Sequence, residues 1–159
     1  KHKSYVKAVP NSKVVRFDMG DVKKQYAVRV DLIAKDALQL RHNAIESARQ
    51  IINRHLNLKL GNNYYIKVRM YQHHVLRENK MLTGAGADRM QTGMQLSFGR
   101  PVGIAAQIKR GKAIFSVKVD QGAIESAKYA LRKATPRLPG DYGGAVVQLI
   151  PEVIAAKEE

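Results

Sequence analysis

Apolar and polar positions divide the chain into short runs of two different periods. From Tyr26 to Ile33 the residues Tyr-Ala-Val-Arg-Val-Asp-Leu-Ile alternate as a half-buried strand does. The period then lengthens. Leu38, Ile45, Ala48, Ile52 and Leu56 follow helical spacing while Glu46, Arg49, Gln50 and Asn53 point elsewhere. This predicts a helix over Leu38–Leu56 that starts properly at Asn43, where Glu46 three residues on resembles a capping box, and that Gly61-Asn62-Asn63 ends. Two-residue alternation returns at Tyr64–Met70 and His73–Arg77. Val102–Lys109 and Ala113–Val119 flank Arg110-Gly111-Lys112 and read as a hairpin. A second helix is expected over Gln121–Ala134, with Ala123, Ala127, Ala130 and Ala134 on one side and Ile124 and Leu131 beside them. Pro136 and Pro139 stop it, and Val146–Ile150 is a last strand.

The order β-α-β-β-β-α-β predicts an α+β fold, with two helices packed on one face of a mainly antiparallel sheet. The result is a two-layer α/β sandwich carrying a long Gly-rich loop. Residues 1–25, basic and punctuated by Pro10 and Gly20, read as an arm with one short strand at Lys13–Phe17. Residues 26–150 form a single domain containing the loop 79–101, and 151–159 an acidic tail. Ala44-Ile-Glu-Ser-Ala-Arg49 is echoed by Ala123-Ile-Glu-Ser-Ala-Lys128, as two amphipathic helices of similar composition would be.

Charge narrows the function. The chain has 159 residues, 28 Lys+Arg against 13 Asp+Glu, and a formal net charge of +15. Such an excess opposes compaction by self-repulsion, which a polyanionic partner offsets. The basic residues lie upstream: in residues 138–159 only Lys157 faces Asp141, Glu152, Glu158 and Glu159. A membrane is the other candidate polyanion, but no apolar run approaches the roughly 20 residues that span a bilayer. With no cysteine, disulfides and thiolate chemistry are excluded. The opening Lys1-His2-Lys3 has neither initiator Met nor apolar signal stretch, as a segment of a longer gene product would.

Catalytic motifs fail on inspection. Gly84-Ala-Gly-Ala-Asp-Arg89 lacks the third Gly of a dinucleotide fingerprint, and Ser97-Phe-Gly99 has Gln95 where a nucleophile elbow needs Gly. Gly111-Lys112 has Ala106 where a P-loop has its first Gly. His73 and His74, adjacent in an apparent strand, are expected to face opposite ways and not to chelate one metal together. The chain is therefore read as no enzyme, with no cofactor, metal or small-molecule substrate. A duplex-DNA reader would need a free recognition helix, whereas the apolar stripe of Leu38–Leu56 is needed for the core.

Residues 79–101 hold neither period, and Gly84, Gly86, Gly93 and Gly99 interrupt any helix. Lys80, Arg89 and Arg100 are spread along this segment with Gln91, Thr92, Gln95 and Ser97 as neutral donors. Glycines there let backbone N–H groups approach phosphates. Between Arg89 and Val119 there is no acidic residue at all.

Arg77-Glu-Asn-Lys-Met-Leu82, Ala85-Gly-Ala-Asp-Arg-Met-Gln-Thr-Gly-Met94 and Phe98-Gly-Arg-Pro-Val-Gly103 closely resemble the ribosomal protein L10e family, the archaeal and eukaryotic counterpart of bacterial L16, also called uL16. Val9-Pro10, Phe17-Asp-Met-Gly20, Arg41-His-Asn-Ala44 and Ile66-Lys-Val-Arg69 extend the resemblance over about Val9 to Gly140. It departs at both ends, where the Arg-rich leader is absent before Lys1 and Asp141-Tyr-Gly-Gly-Ala145 is atypical. The resemblance implies a structural, rRNA-binding constituent of the large ribosomal subunit, with neighbouring large-subunit proteins and A-site tRNA as partners. It implies that Asn79–Gly99 is directed towards the peptidyl-transferase region and helps position aminoacyl-tRNA on cytoplasmic ribosomes. A free ribosome-assembly factor is the alternative.

Proteins grip such RNA chiefly through phosphates and 2′-hydroxyls. The candidate contacts are Arg41, His42, Arg69, Arg77, Asn79, Lys80, Arg89, Gln91, Thr92, Arg100, Lys109, Arg110 and Lys112. Tyr64, Tyr71 and Phe98 are either base-stacking or core residues.

Overall fold

The computed structural model describes residues 6–80 and 99–149. Its elements follow in the order β1 (Asp18–Gly20), β2 (Val28–Ala34), β3 (Leu38–Arg41), α1 (His42–Leu60), β4 (Tyr65–Val68), β5 (His74–Glu78), β6 (Arg100–Ile108), β7 (Ala113–Val119), α2 (Ile124–Ala134) and β8 (Tyr142–Gln148). The α+β class stands, with strands that are antiparallel throughout, but they form two sheets where the sequence suggested one. One is five-stranded in the order β1-β4-β7-β2-β8, and the other is three-stranded in the order β3-β6-β5.

Alternation decides which side of the larger sheet is dry. Val28 opposes Val119, Val30 opposes Val117 and Leu32 opposes Phe115, while Ile66 and Val68 of β4 meet Val117 and Phe115 from the other side. All of these are buried, in one cluster with Ile45, Ala48, Ile52 and Leu56 of α1 and Ala127, Ala130, Leu131 and Ala134 of α2. α2 lies on β2 and β7, and α1 packs along α2 and over β3 and β6. The alanine stripe, 0% exposed at Ala127, Ala130 and Ala134, lets the helices approach closely. Leu40, Ala106 and Ile108 bring the second sheet into the same core.

Several sequence expectations are corrected. Val102–Lys109 and Ala113–Val119 do not pair: β6 lies between β3 and β5, whereas β7 lies between β4 and β2. The turn at Arg110-Gly111-Lys112 therefore hands the chain from one sheet to the other. Leu38–Arg41 is a strand, not the first turn of α1, because Leu38, Gln39 and Leu40 pair with Ile108, Gln107 and Ala106. No capping box starts α1; its N-cap is Arg41, without a side-chain cap. The short N-terminal strand is Asp18–Gly20, not Lys13–Phe17, although Val14 is buried in the core. The last strand begins four residues early, at Tyr142.

The C-terminal end of α1 behaves as expected. Gly61, at φ +60°, donates its N–H to Asn57 O at 3.0 Å. The repeated Ala-Ile-Glu-Ser-Ala motif places one i,i+3 ion pair on each helix, Glu46–Arg49 and Glu125–Lys128. The first is half-buried and also docks β1, since Arg49 Nη1 reaches Met19 Sδ at 2.9 Å.

Candidate nucleic-acid interface

The three-stranded sheet carries Arg41, Arg77 and Arg100, and Asn79, Lys80, Lys109, Arg110 and Lys112 flank its strands. β5 and β6 pair with Glu78 opposite Arg100 and Arg77 opposite Pro101. The described residues on either side of 81–98 therefore stand at the same end of one strand pair. Asn79, Lys80 and Arg100, all exposed, stand at the two feet of that segment. Arg89, Gln91, Thr92 and Phe98 lie outside the described residues.

Lys109, Arg110 and Lys112 occupy the opposite end of β6, roughly 30 Å away at strand rise. Their turn is fixed entirely by backbone. Gly111, at φ +78°, donates to Ala34 O at 2.8 Å, Ala34 donates to Lys112 O at 3.1 Å, and Lys112 donates to Lys109 O at 3.2 Å. All three basic side chains are exposed. Arg41 sits between these ends. It opposes Ala105 from β3 while His74 opposes Ala105 from β5, so Arg41 and His74 stand on one face of the sheet.

Arg69 is set apart from this group. Its N–H bonds Ile114 O at 2.9 Å, and its guanidinium donates to Ser116 Oγ at 3.3 Å. Ser116 lies opposite Asp31 and Lys67 on the side of the larger sheet turned away from the helices. Both Ser116 and Asp31 are buried there, and Arg29 Nε holds Asp31 Oδ2 at 3.0 Å.

The ion pairs explain where the net charge is left. Asp18, Asp31, Glu46, Asp120 and Glu125 pair with Lys67, Arg29, Arg49, Lys24 and Lys128. None of these bases belongs to the candidate set. Among the described residues, Arg41, Arg100, Lys109, Arg110 and Lys112 form no ion pair with an acid. Among the described residues, acids thus pair with bases elsewhere on the body and leave these five without an acidic partner.

His42 differs from the other candidates. Half-buried at the start of α1, its Nδ1 accepts the N–H of Lys13 at 3.3 Å. Burial, followed by the charges of Lys13 and Arg41, holds its pKa below the ordinary 6.5. Neutral His42 with the proton on Nε2 is thus the form that ties down the N-terminal segment. The unfolded chain takes up this proton more readily than the folded one, so the stabilisation is present above about pH 6.5 and is lost as pH falls towards the lowered value. Urea unfolding midpoints should fall between pH 7.5 and 5.5, and His42→Gln should flatten that dependence. An unchanged slope in the variant would place its origin at another group.

Sequence reasoning missed how the segment before β5 gathers side chains. Tyr64 is core, 4% exposed, with its hydroxyl donating to Asn53 Oδ1 at 2.8 Å. Tyr71, by contrast, is 56% exposed and stacked between Phe17 and His73. His73 precedes β5, so the two adjacent histidines border one cleft together with Tyr71, Gln107 and Lys112. The sequence signal was the Tyr71-x-His73 spacing, but only the fold brings Phe17 and Gln107 to it. No group of three or more His, Asp or Glu among the described residues is placed to hold a metal.

Comparison with known proteins decides what carries this surface. The model of the ribosomal protein L16p/L10e family matches residues 1–143. This chain belongs to that family. The match runs past Gly140 into the start of β8. Among the relatives is the large ribosomal subunit protein uL16 of Staphylothermus marinus, 46% identical over 86% of this chain and 79% of its own length. The protein of the same name from Methanospirillum hungatei is 47% identical over 86% of this chain and 81% of its own. That of Metallosphaera sedula is 46% identical over 94% of this chain and 87% of its own. The family is structural and non-enzymatic, so the incomplete catalytic motifs are fragments of an RNA-protein sequence.

Proposed function

We propose that this chain is a structural protein of the large ribosomal subunit, docked on large-subunit rRNA through its three-stranded sheet. The observation that carries this reading is the exposed cationic series from Lys80 and Arg100 through Arg41 to Lys109, Arg110 and Lys112, free of acid pairs in a chain of the uL16 family. Each phosphate such a side chain neutralises releases counterions, and Arg grips a phosphate through two parallel N–H donors. The finer reading is that the segment 79–99, held at both feet by the β5–β6 pair, works at the A site and helps position aminoacyl-tRNA. Neighbouring large-subunit proteins complete its surroundings on the cytoplasmic ribosome.

Sedimentation of tagged protein from its own cells, at low and at high salt, tests the docking. Co-migration with the large subunit that survives high salt is expected. Release into light fractions by a protein that still binds rRNA in isolation would favour an assembly factor instead. Deleting Thr83–Met94 tests the finer reading: the variant should fold and co-sediment while peptide synthesis falls several-fold. Undiminished synthesis by subunits carrying the deletion would remove the segment from tRNA handling.

A further inference from the structure

We propose that the cleft between the segment preceding β5 and the end of β6 is a pocket for one unpaired nucleotide of the bound RNA, an inference that rests on the rRNA-docking reading. Phe17, Tyr71 and His73 stand in file, with ring centroids 5.1 Å apart at 29° and then 6.2 Å apart at 16°. Tyr71, the central ring, is more than half exposed, and His73, which ends the file, is exposed as well. The adjoining cleft, about 290 Å³, is lined by Tyr71, His73, His74, Gln107 and Lys112. That lies at the lower limit of the roughly 300–1,000 Å³ of small-ligand pockets, which suits a single base and not a longer strand.

The lining divides into the parts a nucleotide needs. His73, exposed at the end of the file and backed by Tyr71, offers a π-face on which any base can stack. Gln107 and His74 supply a donor–acceptor pair able to meet a base edge. Lys112, at the rim, belongs to the backbone-fixed turn and brings a cation to the phosphate. Unpaired bases are the elements of folded RNA that proteins stack on and read, since the deep groove of an A-form helix is closed to side chains. The pocket thus gives the body a point of register, where phosphate contacts alone would let it slide.

The chain contains no Trp, so Tyr71→Trp installs a single fluorescent reporter in the stack. The full chain is titrated with three hairpin RNAs that are alike except at one position, which is fully paired, an unpaired purine, or an abasic residue. The unpaired purine should quench the reporter and bind about tenfold more tightly than the abasic RNA, the scale of one base stacked on an aromatic ring. In separate variants without the reporter, Tyr71→Ala and His73→Ala should each erase that tenfold preference while leaving affinity for the paired hairpin unchanged. Equal binding of purine and abasic RNAs by the unsubstituted chain would overturn the pocket and leave the docking surface standing. Failure of all three RNAs to bind would overturn the docking reading and the pocket with it.

Discussion

Replacing Gly20 with alanine should destabilise the fold by on the order of 3 kcal/mol. Gly20 closes β1 at φ +86°, where an L side chain is strained. Space is the larger problem: a Cβ there would lie 2.0 Å from the carbonyl oxygen of Tyr64. The obstacle is backbone, and that same oxygen accepts the N–H of Asp21 at 2.9 Å, so it cannot move aside without giving up a bond. Relief requires β1 to lift from β4. That would separate Asp18 from Tyr65 and Lys67, and Met19 from Arg49 of α1. Gly111→Ala is the control. Its φ of +78° imposes a similar strain, but nothing lies within 4 Å of the added methyl, so about 1 kcal/mol is expected. Urea unfolding of the two variants separates clash from strain, and equal losses would mean that the approach of Gly20 to Tyr64 is not tight.

Gly20 shows what a sequence carries and what it withholds. Phe17-Asp-Met-Gly20 was legible as a family motif, yet nothing local revealed that its last residue must pass under the carbonyl of Tyr64. The helices were legible because burial on one side of a helix imposes its own period, and Ile45, Ala48, Ile52 and Leu56 obey it. The division into two sheets was not, because a strand alternates in the same way whichever sheet it joins. Arg110-Gly111-Lys112 does form a tight turn, but a turn does not fix the pairing of the strands it joins, and the expected hairpin does not form. Leu38 fits the helical spacing of the stripe and Leu40 falls within the same range, and only their partners Ile108 and Ala106 identify a strand. The cationic character of the candidate site followed from composition. Which bases acids would neutralise depended on distances that only the folded chain fixes, as between Lys24 and Asp120 or Lys67 and Asp18.

That distinction between paired and unpaired bases leads to the second large effect. The triple variant Lys109→Ala, Arg110→Ala, Lys112→Ala should bind large-subunit rRNA roughly a hundredfold more weakly at 0.15 M salt, because three phosphate contacts are lost. The dependence of log K on log salt should flatten by about 2–3, since each contact contributes ~0.7–0.9 to the slope. Stability should change little. The three side chains are exposed and without ion pairs among the described residues, and the turn is held by bonds from backbone to backbone. Any change should stay within about 0.5 kcal/mol, as for ordinary surface substitutions. The matched variant Lys24→Ala, Lys67→Ala, Lys128→Ala removes the same charge from bases that already have acidic partners. It should cost much less affinity, because those ammonium groups are partly spent on Asp120, Asp18 and Glu125. Equal losses in the two variants would mean that RNA responds to net charge alone and that the end of β6 is no docking point. A steep loss confined to the turn would fix one end of the footprint at the border of the Tyr71 cleft, which Lys112 lines.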